Sequence, residues 1–110
     1  MNPFHFPNNG SISFSDLEAF REVARGLQAG ERGMRQTAER RGLTPSAVSQ
    51  AVQRLERGLG GTQLLARKKG RGLTTLTPVG EALAADLETV AEFLAGITIG
   101  YAQTEVSRGA

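Results

Sequence analysis

Between residues 46 and 57 the chain sets hydroxyls, amides and guanidiniums at intervals that place them along one side of a helix: Ser46, Ser49, Gln50, Gln53, Arg54 and Arg57, with the Thr44 hydroxyl just ahead of them. Shortly after come Arg67, Lys68, Lys69 and Arg71, interleaved with Gly70 and Gly72. These groups have a definite chemistry. A Gln amide can pair bidentately with adenine, an Arg can read guanine or hold a phosphate, and short hydroxyls near a helix N-terminus suit base edges. Cations crowded into a short loop repel one another unless a polyanion neutralises them, and each neutralised phosphate releases condensed counterions. The pattern points to duplex nucleic acid.

Catalytic chemistry finds little to work with. The one histidine, His5, lies in a stretch with two prolines and an Asn-Asn-Gly turn signal, far from any pair of carboxylates. Ser46 and Ser49 have no histidine base in sequence reach, and cysteine is absent, which removes thiol nucleophiles, disulfides and thiolate metal sites. The Gly70-Arg71-Gly72 stretch lacks the frame of a phosphate-binding loop. The expectation is a protein that is not an enzyme, with no cofactor, no metal and no small-molecule effector site.

The net charge of +2 conceals a segregated distribution. Residues 1–30 carry two basic and three acidic groups, residues 31–72 ten basic and three acidic, and residues 73–110 one basic and five acidic. A positive middle of net +7 is the electrostatic footprint of a polyanion binder. The 110 residues fit one domain with one core, and no stretch resembles a signal peptide or a membrane span. A soluble, cytoplasmic protein is expected.

Several elements are needed to position these groups. Residues 1–14 read as a flexible arm. Ser15 and Glu18 suggest a capping box for a first helix over 16–27, with Leu17, Phe20, Val23, Ala24 and Leu27 inward. Gly26, Gly30 and Gly33 suggest a mobile connection, and a second helix follows over 34–41, stopped by Gly42. Thr44-Pro45 supplies an N-cap and a first-turn proline for a third helix with Ala47, Val48, Ala51, Val52, Leu55 and Leu59 buried. Ala38 is small enough for the crossing of helices two and three, and Leu43 reads as an apolar plug after the turn. Strands at 63–66 and 73–76 would flank the basic tip, and Thr77-Pro78 opens a fourth helix over 78–98 before a flexible tail at 99–110. The fold class is therefore mainly α: a winged helix-turn-helix over 15–77 with a two-stranded wing and a long C-terminal dimerisation helix.

The blocks Leu43-Thr-Pro-Ser-Ala-Val-Ser-Gln-Ala-Val-Gln-Arg-Leu-Glu56, Leu59-Gly60, Gln63-Leu-Leu-Ala-Arg67 and Leu76-Thr-Pro-Val-Gly-Glu-Ala-Leu83 resemble the N-terminal DNA-binding domain of LysR-type transcriptional regulators. The resemblance covers about residues 15–95. It implies recognition from the helix beginning at Pro45, with base-reading positions on Pro45, Ser46, Ser49 and Gln50, a wing at 67–72 and a linker helix that dimerises. Pro45 stands where Gln is frequent in the family and Gln50 where Arg is frequent, so sequence preference does not carry over; Ser49 and Arg54 match the pattern better. The 26–33 connection is about five residues longer than usual, a cheap change in a surface loop. Family members continue into a larger effector-binding domain. The sequence given stops before one, as a DNA-binding fragment would, or a short regulator resembling the N-terminal domain of the molybdate regulator ModE.

Leu83, Leu87, Val90, Leu94 and Ile97 step by four and three residues, the seam of a helix pair. Two-fold protein dimers match two-fold sites on duplex DNA. The expectation is a homodimeric, sequence-specific regulator of transcription that places its third helix in the major groove and its basic wing on the adjacent backbone or minor groove. The competing expectation is an interaction subunit that uses the same seam to heterodimerise with a full-length LysR-type regulator and modulate it.

Overall fold

A computed structural model describes residues 12–32, 34–68 and 73–109, with side chains left out at Lys68, Leu73 and beyond Gly100. Four helices and one hairpin follow in the order α1 Phe14–Gln28, α2 Met34–Arg41, α3 Pro45–Gly58, β1 Leu65–Lys68, β2 Leu73–Leu76 and α4 Pro78–Gly109. The fold is a winged helix-turn-helix. Its core joins Phe20, Val23 and Ala24 of α1, Met34 and Ala38 of α2, Val48, Val52 and Leu55 of α3, Leu64 and Leu65 at the hairpin, and Ala84 of α4. These positions recur every three to four residues along each helix, so one stripe per helix turns inward.

The α1 helix begins earlier than the Ser15 capping box suggests. Ser13 is the N-cap, its Oγ accepting from the Asp16 N–H at 3.0 Å. This frame carries Asp16 into the first turn and onto α3, and it seats Ile12, expected in the arm, against the core. The rest of the proposed arm, residues 1–11 with His5, lies outside the described residues.

The connection after α1 is held rather than loose. Gly30 takes φ +95°, a left-handed geometry that lets its N–H reach Leu27 O and the Glu31 N–H reach Gly26 O. Glu31 then accepts from Arg40 and Thr37, the Arg32 N–H donates to Gln36 Oε1 at 2.7 Å, and Thr74 N–H of β2 donates to Arg32 O at 3.2 Å. Gly33 lies outside the described residues.

The turn between α2 and α3 also depends on glycine. With φ +71°, Gly42 donates to Glu39 O while Leu43 N–H donates to Ala38 O at 2.8 Å, ending α2. Leu43 itself stays 44% exposed and does not join the core as the expected plug would. Ala47, expected in the buried stripe of α3, is likewise exposed. It lies in the first turn of α3.

The strands pair antiparallel, Leu65 opposite Leu76 through Lys68 opposite Leu73. Pairing starts two residues later than expected because Gln63 and Leu64 serve other elements: the Leu64 N–H donates to Glu56 Oε2 at 2.8 Å, and the Leu64 carbonyl accepts from Thr77. Thr77 Oγ1 caps α4 through the Gly80 N–H and donates to Gln63 O. Gly80 lies so close to the Leu64 carbonyl that a Cβ would fall 2.2 Å from its oxygen. At 1.5 Å rise per residue α4 is about 48 Å long. It continues past 98 into the expected tail, since Gly96 and Gly100 weaken a helix by only about 1 kcal/mol each and no proline intervenes.

Candidate nucleic-acid interface

The α3 helix owes its exposed N-terminal turn to local chemistry. Thr44 Oγ1 accepts from the Ala47 N–H at 3.0 Å, and Pro45 fills a position that needs no hydrogen-bond donor. Val48, Ala51, Val52 and Leu55 are drawn onto the core, which leaves Thr44, Pro45, Ser46, Gln50 and Gln53 exposed and Ser49 half-buried. Gln50 Nε2 lies 3.5 Å from Ser46 Oγ, one helical turn away. The polar row read from the sequence is therefore continuous and open to solvent at its start.

The basic residues do not share one fate. Arg54 forks onto Asp16, with Nε and Nη2 at 3.1 and 3.0 Å from the two carboxylate oxygens, and its side chain remains 51% exposed. The Asp16 hydrogen bonds, then its charge, push the guanidinium above its ordinary pKa. Arg41 is held by Glu18 and Glu22, Arg40 by Glu31, and Arg35 approaches Glu39 one turn along. Arg57 and Arg67 are exposed and, among the described residues, meet no carboxylate.

Arg67 connects the hairpin with α3. Its Nη2 donates to Ser49 Oγ at 3.2 Å and passes 3.8 Å from Met34 Sδ. An open, mostly polar groove of about 410 Å³ runs between the two elements, bordered by Ser49, Gln53, Glu56, Gln63 and Arg67. Of the remaining wing cations, only the backbone of Lys68 is described, and Lys69 and Arg71 lie outside the described residues.

Sequence reasoning missed Asp16, whose carboxylate is nearly buried and determines what Arg54 touches. Its sequence signal is an acid in the first turn of α1. It also missed Arg21, which forks onto Glu88 of α4 at 3.1 and 3.0 Å and fastens α1 to α4.

The proposed seam on α4 divides. Leu83 and Leu87 lean on the chain's own core, whereas Val90, Leu94 and Ile97 stay 41–46% exposed. The exposed stripe includes Phe93, at 69%, which the leucine spacing passed over, and Phe14 of α1 stands 71% exposed. Among the described residues no helix is long and apolar enough to cross a membrane, and no group of three His, Cys, Asp or Glu side chains could hold a metal ion.

The model of bacterial regulatory helix-turn-helix proteins of the lysR family matches residues 14–81. A transcriptional regulator of the LysR family from Eggerthella lenta DSM 2243 superposes with a TM-score of 0.57 at 29% identity, over 69% of this chain and 97% of that one. The oxidized form of OxyR from Corynebacterium glutamicum superposes with a TM-score of 0.62 at 23% identity, over 87% of this chain; the chain spans 28% of that protein. A C206 mutant of the same OxyR gives 0.57 at 24% identity, over 79% of this chain and 27% of that one. No curated protein matches the sequence significantly.

Proposed function

From a chain that belongs to the lysR family of bacterial regulatory helix-turn-helix proteins, and so is a DNA-binding transcription regulator, we propose a specific mode of action. As a homodimer, the protein lays the N-terminal half of α3 in the major groove of duplex DNA and sets the β1–β2 hairpin on the adjacent backbone or minor groove. Pro45, Ser46, Ser49 and Gln50 meet base edges, Thr44 and Gln53 border them, and Arg57, Arg67, Lys68, Lys69 and Arg71 meet phosphates. Arg54 acts chiefly by holding α3 to α1, through the Asp16 fork.

The observation that carries this reading is the join at Ser49. There the exposed start of α3 and the first hairpin strand meet through Arg67, so one surface presents hydrogen-bonding groups and uncompensated cations together. The apolar stripe on α4, which a monomer leaves in water, supports the homodimer.

Selection of bound fragments from random duplex DNA tests the reading. Recovery of a two-fold symmetric motif with half-sites about one helical turn apart is expected. Recovery of fragments with no shared motif overturns base reading by α3.

A further inference from the structure

Among the described residues, the arginines of α1 and α2, together with Arg54 of α3, each lie within reach of a carboxylate. Arg57 and Arg67, given to phosphates above, do not, and neither does Arg32, in the connection between α1 and α2. We propose that Arg32 is a further contact to the DNA backbone, gripping a phosphate beside the hairpin. This contact rests on the duplex reading above and brings another element, the connection before α2, onto the DNA.

Backbone bonds place Arg32 at the outer edge of the hairpin. Its carbonyl accepts from the Thr74 N–H of β2 at 3.2 Å, and Thr74 stands opposite Arg67 of β1. Neighbouring strands lie about 4.8 Å apart, so the backbones of Arg32 and Arg67 are separated by about 10 Å with Thr74 between them. Arg67 in turn passes Met34, two residues after Arg32, on its way to Ser49 of α3. The start of α2, the hairpin and the polar row of α3 therefore meet at one corner, and Arg32 borders it.

The acid nearest in sequence is withheld. Glu31 turns onto Arg40 and Thr37 and lies over Gly26, where a Cβ would collide with its carboxylate. The Arg32 N–H donates to Gln36 Oε1 at 2.7 Å, so both backbone polar groups are fixed. The guanidinium is left exposed, with no ion pair among the described residues. A cation without a carboxylate, close to another on the wing, adds to the field that draws in a polyanion. Its planar fork matches a phosphate, and a braced backbone leaves less freedom to lose on binding.

Salt-dependent anisotropy titrations of the full chain on labelled duplexes of several sequences test the contact. Arg32→Ala is expected to weaken every duplex alike and to reduce the slope of log affinity against log salt by about 1, with the thermal unfolding midpoint unchanged. Arg32→Lys, which keeps the charge, is expected to keep the parent slope. Arg25→Ala, whose guanidinium faces Glu88, is expected to keep it as well. A parent slope in Arg32→Ala, a loss confined to particular sequences, or a slope in Arg32→Lys as low as that of Arg32→Ala overturns this contact and leaves the duplex reading standing; so does an equal fall for Arg25→Ala. A parent chain that binds no duplex at low salt overturns the duplex reading and this inference with it.

Discussion

The α3–hairpin side and the α1–α4 side are built on one small core, yet they leave opposite things uncovered. On the first, Ser46, Gln50, Gln53, Arg57 and Arg67 face solvent. On the second, Phe14, Val90, Phe93, Leu94 and Ile97 do. Arginine alone does not make the difference, because Arg21, Arg25 and Arg41 border the second side. It lies in the carboxylates: Glu88 holds Arg21 and Arg25, Glu18 and Glu22 hold Arg41, and Asp16 holds Arg54. Acids carried by α1 and α4 neutralise the cations nearest them and, among the described residues, leave Arg57 of late α3 and Arg67 of the hairpin without a carboxylate. A polyanion is drawn to where acids are missing, not simply to where bases are dense.

The strongest way to break this comparison is through the shared core. Phe20→Ala removes a fully buried ring and should cost about 3–5 kcal/mol in chemical denaturation, with duplex binding and self-association lost together. Retention of either at full strength would show that the two sides fold independently. Next comes Gly80→Ala, whose Cβ would meet the Leu64 carbonyl backbone. A destabilisation of about 1–3 kcal/mol is expected, and self-association should weaken more than duplex binding, since α4 is the element displaced. A stability equal to the parent's would mean that α4 does not depend on this close approach.

Two finer comparisons separate the roles within the polar side. Ser46→Ala and Gln50→Ala should each cost about 1–3 kcal/mol at particular base pairs, with self-association unchanged in sedimentation. Equal losses on every duplex would remove base reading from these positions. The smallest effect expected is for single arginines. Arg57→Ala should weaken all duplexes alike and reduce the slope of log affinity against log salt by about 1, whereas Arg41→Ala, already matched by Glu18 and Glu22, should leave the slope unchanged. Equal slopes for the two variants would contradict the role given to the carboxylates.

The parts of the molecule that the sequence made legible are those governed by neighbours in the chain. Thr44 and Pro45 start α3, Gly42 ends α2, and the inward faces of Met34, Thr37 and Ala38 follow from helical spacing. The polar row from Thr44 to Gln53 could be read for the same reason. The missed contacts are those closed over long separations. Asp16 and Arg54 lie 38 residues apart, and Arg21 and Glu88 lie 67 apart. Which α4 leucines turn inward depends on where α1 lies, so spacing alone grouped Leu83 and Leu87 with a seam that the core partly claims. Phe93 was passed over because the leucine row offered an equally regular alternative one position away. The order in the connection after α1 was missed because its glycines also read as slack, whereas Gly30 bends the chain so that Glu31 can reach Arg40 and Thr37.

The central claim is that the exposed start of α3 and the cationic hairpin grip one DNA duplex together. Fluorescence anisotropy of a labelled duplex, titrated with the purified chain from low to moderate salt, tests it most directly. The account predicts saturable binding at low salt and a linear fall of log affinity with log salt, with a shallower slope for a Lys68→Glu, Lys69→Glu variant. No rise in anisotropy for any duplex at low salt, or a slope unaltered by that variant, would contradict it.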